Sequence, residues 1–253
     1  MIPKIIWQTY ETPKDFLPDY AKDAMLSWEK LNPHYEFKYM DAEERNEFVL
    51  KYFGDDWYKI FCELPSGVMR ACIWRYMILY VYGGIYLDLD IICKQPINYW
   101  VDHTKDLVIS ISYDKKNLQH FAFASSANNE FILNTLKDMK KQFDEPDYKE
   151  KASNLNQVDF LFAYGSDEII TKSAKKTLNF PNDDSMGFDS AWQLYKNSGF
   201  VKKQNMVYYG LDQFDLFNGE GILMEHLFGS VVWNDGKYVQ WQTEDLGEWW
   251  ENE

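Results

Sequence analysis

Two carboxylates one residue apart, Asp88 and Asp90, close the stretch SGVMRACIWRYMILYVYGGIYLDLDII at residues 66–92, and no other Asp-x-Asp occurs in the 253-residue chain. Read as the end of a strand, residues two apart point to one face, so both carboxylates converge while Leu87 and Leu89 turn the other way. Converging anions need a cation. Mn2+ or Mg2+, held by one or two carboxylates together with a substrate's phosphates, suits oxygen ligands of this kind. The plain alternative is an acidic strand end facing water. Arg75 adds a constraint, because Trp74, Tyr76, Met77, Ile78 and Leu79 surround it in sequence and a buried, unpaired guanidinium is too costly. It needs an anion, which is either a protein carboxylate or a ligand at the site of Asp88 and Asp90.

The elements that position these groups are legible. Ser66 suits an N-cap, and the residues after it are apolar on almost every face, as in a helix sunk in a core. Gly83 and Gly84 end that helix, and Ile85, Tyr86 and Leu87 favour a strand. Upstream, KIIWQTY at 4–10 reads as a first strand. Residues 19–31 have helical apolar spacing that Asn32-Pro33 stops, Tyr35 to Met40 reads as a strand, and Asp41 opens a further helix with Glu43, Glu44 and Glu47 in its early turns. This alternation implies an α/β fold with a mostly parallel sheet. Downstream, 107–112 reads as a strand, 120–126 as an edge strand, and 128–143 as an amphipathic helix. Residues 144–153 read as a surface loop, and 179–219 as turn-rich acceptor loops.

The string RACIWRYMILYVYGGIYLDLDI resembles the signature of the sugar-binding-region, DXD-motif glycosyltransferases, glycosyltransferase family 32. The likeness extends to IPKIIWQTY at the N-terminus, to Ser27-Trp28 and to Asn32-Pro33-His34-Tyr35-Glu36, and so covers about the first 100 residues. It implies a GT-A-type, Rossmann-like, mostly parallel central sheet flanked by helices. One domain over 1–253 is expected, with 1–100 as the nucleotide-sugar and metal half and 101–253 as the acceptor side. The implied reaction is retaining, metal-dependent transfer from a nucleoside-diphosphate sugar of UDP or GDP type to a glycan or other hydroxyl acceptor, as in polysaccharide biosynthesis.

By the same resemblance, Tyr10 and Trp7 are candidates for stacking on the donor's base, and Asp88 and Arg75 for contacts with its sugar and phosphate. Asp90 is the principal metal ligand, with Asp88. Met224-Glu225-His226-Leu227-Phe228-Gly229-Ser230 resembles the family's C-terminal His before Gly-Ser, which makes His226 and Ser230 further metal candidates. Ala163-Tyr164-Gly165-Ser166 resembles a family turn, although Ser166 also works as a plain N-cap. The family's Asp three residues before the helix Arg is replaced here by Cys72. At Gln119-His120 the family often has Asn, and a lone His120 is more commonly a satisfied residue than a ligand.

Composition narrows the partners. A formal net charge of −14 argues against nucleic acid or an anionic membrane as the main partner, and an aromatic content of 18% suits sugar binding as well as core packing. Cys62, Cys72 and Cys93 lack metal-ligand spacing and read as reduced thiols. With no apolar run long enough to span a bilayer and no leader-like start, the expectation is a cytoplasmic protein, bacterial or viral in a host cytosol. Two rival readings stand: a non-catalytic carbohydrate-binding protein on the same scaffold, and a sugar nucleotidyltransferase. The second is disfavoured by the absence of any glycine between Ile2 and Lys14.

Overall fold

The chain enters the core directly. Ile5–Thr9 (β1) is buried after its first residue and pairs in parallel with Glu36–Met40 (β2) on one side and Gly84–Leu87 (β3) on the other. A computed structural model of the protein describes residues 1–64, 66–111, 118–153 and 167–177, together with strands at 206–212, 215–217, 222–226, 232–234 and 237–239. Between β1 and β2 lies Asp19–Leu31 (α1), ending at Asn32 as its sequence implied. Ala42–Glu63 (α2) follows β2 behind a capping box in which Asp41 and Glu44 bond each other's backbone N–H, and it kinks at Gly54, whose φ is 78°.

Gly67–Tyr82 (α3) is the central helix. Ser66 caps it, and nine of its residues, Arg75 among them, are buried. Gly83 and Gly84 have φ of 67° and 111°, a region that L side chains avoid. Gly84 also lies tight against β1: a Cβ there would lie 2.6 Å from the Ile5 carbonyl oxygen.

Beyond β3 come Ile91–Cys93 (β4), Leu107–Ile111 (β5), Leu118–Ser125 (β6) and Glu130–Phe143 (α4), then the helices Tyr148–Ser153 (α5) and Asp167–Thr177 (α6). Strands Met206–Asp212 (β7), Asp215–Phe217 (β8) and Ile222–His226 (β9) complete a nine-stranded sheet of order β2-β1-β3-β6-β5-β7-β8-β9-β4. Val232–Asn234 (β10) and Lys237–Val239 (β11) form a separate antiparallel pair. The α/β class is the expected one, with a parallel β2-β1-β3 core and a parallel β5–β7 pair.

Three details differ from the sequence reading. β6 is central, antiparallel to both β3 and β5, rather than at an edge, and its Ala122, Phe123, Ala124 and Ser125 are buried. Phe123 packs with α3 on one face while Ala122 and Ala124 face the second core cluster, and such small residues hide the usual hydrophobic signal of an interior strand. Residues 148–153 form a helix instead of loop, docked where Tyr148 meets Phe143 edge-on at 5.1 Å. The strand expected to run through Asp90 stops at Leu87. Among the described residues no helix is long and apolar enough to cross a membrane.

Candidate functional site

Only three residues separate β3 from β4, yet the two strands stand third and ninth in the sheet order. Asp88, Leu89 and Asp90 therefore form the turn at which the chain leaves the parallel core to join β9. This corrects the strand-period argument for the carboxylates: they share a turn, not a strand face. Leu89 pins it from beneath by packing with Leu17, Ala21 and Met25. On the far side, α1 holds β4 through side chains. Trp28 Nε1 donates to the Ile91 carbonyl oxygen at 2.7 Å, Ser27 Oγ accepts from the Cys93 N–H at 2.8 Å, and Asn32 Oδ1 accepts from the Ile97 N–H at 2.7 Å. Ser27, Trp28 and Asn32 thus have a physical role, which is to fix the strand that follows the turn.

Asp88 is gripped at Oδ1. Its Oδ1 accepts from Arg75 Nη2 at 3.0 Å and from the Tyr86 hydroxyl at 2.6 Å, and its N–H donates to the Phe121 carbonyl oxygen at 2.8 Å. Of the two partners open to Arg75, the structure selects the protein carboxylate. The other two guanidinium nitrogens are engaged as well: Nη1 donates to the His120 carbonyl oxygen at 2.8 Å and Nε to the Ala71 carbonyl oxygen at 3.3 Å, and the plane lies over the Tyr86 ring at 4.6 Å. Burial pushes the Tyr86 phenol up, and the Asp88 carboxylate adds to this against the opposing Arg75 charge. Direct donor contact by Arg75 is therefore corrected to an action through Asp88, because its side chain is 4% exposed.

Asp90 is buried at 7% exposure and lies near enough to Tyr20 of α1 to act on its phenol. The Tyr20 phenol is pushed up first by burial, then by a hydrogen-bonded Tyr10 and by the Asp90 carboxylate. Tyr10 itself is 36% exposed, which leaves ring surface for stacking. Trp7 is elsewhere: it is buried, stacked on Tyr82 at 5.4 Å, and its Nε1 donates to the Gly83 carbonyl oxygen at 2.9 Å. Its expected donor contact is corrected to a core role, since strand alternation turns Trp7 toward α3. Cys72 is likewise buried, close enough to Arg75 and Tyr86 to influence both.

β9 runs antiparallel to β4 with His226 in register with Ile91, next to Asp90. The main chain therefore brings the C-terminal histidine to the carboxylate turn across 135 residues of sequence. Ser230 and the 163–166 turn lie outside the described residues. Two carboxylates and an imidazole form a donor set that fits a hard or borderline divalent cation, although among the described side chains no three potential ligands gather at one point.

His120 is satisfied, as the plain reading had it. Its Nδ1 is 2.9 Å from the Tyr76 hydroxyl, and burial, with Arg75 adding, holds its pKa well below the ordinary value. Sequence reasoning missed Tyr20 and Tyr86. Tyr86, two residues before Asp88, carries a positional signal, whereas Tyr20, inside the apolar spacing of 19–31, carries none. The free cysteines agree with the reduced reading, and burial raises the Cys93 thiol to about 11.

Residues 18–107 match the family model described as "Glycosyltransferase sugar-binding region containing DXD motif". Inositol phosphoceramide mannosyltransferase 3 of Schizosaccharomyces pombe is 32% identical over 147 residues, covering 55% of this chain and 38% of the relative. Initiation-specific alpha-1,6-mannosyltransferase of Candida albicans is 28% identical over 120 residues, covering 46% and 30%. The chain thus spans about a third of the length of these relatives. Among solved structures, PaToxG Glycosyltransferase is similar with a TM-score of 0.49 at 18% identity, covering 77% of this chain and 75% of the other. Both mannosyltransferases are fungal, hence eukaryotic, which overturns the expectation of a bacterial or viral cytoplasmic protein. The inference from reduced thiols fails physically, because Cys72 and Cys93 are buried and a thiol with no second cysteine in reach forms no disulfide in any compartment.

Proposed function

Since its residues 18–107 place this chain among the DXD-motif, sugar-binding-region glycosyltransferases, we propose that it transfers a hexosyl group from a nucleoside-diphosphate sugar to a hydroxyl acceptor with a divalent cation. The relatives' names make mannosyl the first donor to try and a glycan or glycolipid hydroxyl the first acceptor. The observation that carries this reading is the placement of Asp88 and Asp90 in a turn that Arg75, Tyr86, Trp28 and Leu89 immobilise, with His226 in register beside it.

The chain's own groups divide the work. Tyr10, at the exposed end of β1, offers a ring face to the base. Asp88, oriented through one oxygen by Arg75 and Tyr86, presents a carboxylate of fixed direction to the donor. Asp90 and His226, with Asp88, are the residues that would hold the cation. Bound there, Mn2+ or Mg2+ supplies Lewis-acid neutralisation of the charge on the departing diphosphate. The first turns of α2 and α3 lie at the same end of the sheet, because α2 starts directly after β2 and α3 runs antiparallel to β3. Their positive ends favour an anion there. Retention fits same-face attack by the acceptor hydroxyl, since no carboxylate stands out as a nucleophile.

Turnover of GDP-mannose and of UDP-glucose, each with Mn2+ and with EDTA, tests the assignment. Cation-dependent release of one nucleoside diphosphate is the expected result. If neither donor is hydrolysed or transferred, and glycans bind without nucleotide, the carbohydrate-binding alternative replaces this one.

A further inference from the structure

Glu11 follows Tyr10 at the end of β1, and each of its carboxylate oxygens is taken by a different arginine. Oε1 accepts from Arg45 Nη2 of α2, and Oε2 from Arg70 Nη2 of α3 at 2.8 Å. Arg45 is 1% exposed, so its charge depends on this carboxylate. Arg70 is anchored in turn by donating Nη1 to the Leu64 carbonyl oxygen at 2.8 Å.

The fit against α3 is close: a Cβ at Gly67, the first residue of that helix, would land on the Glu11 carboxyl group. The segment is tied on its third side too. The Tyr39 hydroxyl donates to the Thr12 carbonyl oxygen, and the Tyr10 N–H to the Met40 carbonyl oxygen at 3.4 Å. The charged and titratable groups facing Glu11 are thus Arg45, Arg70 and Tyr39, with Asp41 beyond Tyr39.

We propose that Glu11 is a positioning residue that ties the Tyr10 segment to the first turns of α2 and α3, and that it sets nucleotide affinity through the placement of the Tyr10 ring. This rests on the glycosyltransferase reading above. Three observations carry it: adjacency to Tyr10, the use of both carboxylate oxygens by two different helices, and the need for glycine at 67. A structural ion pair elsewhere would satisfy Arg45 equally well, but it would not be one peptide unit from the ring.

Two variants test it. Glu11→Gln removes the charge. Gly67→Ala keeps every charge and crowds the carboxylate out of its seat, and it decides the matter if Glu11→Gln fails to fold. The probes are GDP and UDP with Mn2+, read by calorimetry, together with hydrogen exchange of the amides of residues 10–12. The expected result for Gly67→Ala is exchange at least tenfold faster in 10–12, with Kd for the nucleotide that wild type binds rising about 5- to 20-fold. The turnover rate at saturating donor should stay within twofold. Faster exchange with unchanged Kd reduces Glu11 to a structural tether and overturns the proposal, as does unchanged exchange. If wild type binds neither nucleotide, the glycosyltransferase reading itself fails and this proposal with it. Unaltered binding by the variant beside normal wild-type binding refutes the positioning role alone.

Discussion

Two carboxylates at the same end of the sheet each neutralise buried arginine, and they do so differently. Both oxygens of Glu11 are spent on two guanidinium groups from two helices, whereas the contacts of Asp88 with Arg75 and Tyr86 converge on Oδ1. A carboxylate held at both oxygens is a tether. Asp88, whose Oδ1 is set by one arginine and one phenol, is an oriented group. The difference separates residues that assemble the site from residues that can also act in it, although all carry the same charges.

The sharpest way to break this comparison is to remove the shared cation of the Asp88 cluster. Arg75→Met should cost about 3 kcal/mol of stability, a fall in melting temperature on the order of 10 °C, along with loss of donor turnover. Calorimetry that finds less than a quarter of that drop would mean Asp88 is oriented by something else. Asp90→Ala should lower donor turnover by about 10²- to 10³-fold while the melting temperature falls less than in Arg75→Met. Retained turnover in steady-state assays would remove Asp90 from the metal site.

Acid separates the clusters further. His120 is buried neutral, with a folded pKa well below its ordinary 6.5. As pH falls below 6.5 the unfolded chain therefore takes a proton that the native one refuses, and stability drops by up to about 1.4 kcal/mol per pH unit. Glu11 adds a second loss at lower pH. Burial works against it, but Arg45 and then Arg70 bring its folded pKa below the ordinary 4.5. Its contribution is complete above 4.5 and disappears as pH falls through the lowered value. Urea titrations of wild type and His120→Gln between pH 7 and 4 should show the upper leg vanish in the variant; an unchanged upper leg would place the titration elsewhere. The smallest effect expected is that of Tyr86→Phe. It deletes one hydrogen bond to Asp88 at about 1 kcal/mol and should raise the donor KM severalfold with stability nearly intact.

Much of the site was legible because its residues lie within one short segment. Ser66 as a cap, the buried α3, the glycine pair and the pairing of two carboxylates after it follow from propensity, periodicity and charge cost, all of which act over a few residues. Arg75's need for an anion was equally plain from its neighbours. The choice among anions was not, since the answer came from a strand on the far side of two glycines and from the His120 carbonyl of β6.

Local sequence determined the alternating elements of the first hundred residues, the burial of α3 and the demand that Arg75 be paired, because these depend on side-chain type and spacing along one stretch of chain. Only the tertiary structure decided that Asp88 and Asp90 occupy the turn between β3 and β4, that Trp7 is buried while Tyr10 stays partly exposed, and that Glu11 joins Arg45 to Arg70. Each of these depends on which surfaces two distant segments present to each other. That follows from packing the whole sheet, and no local energy encodes it.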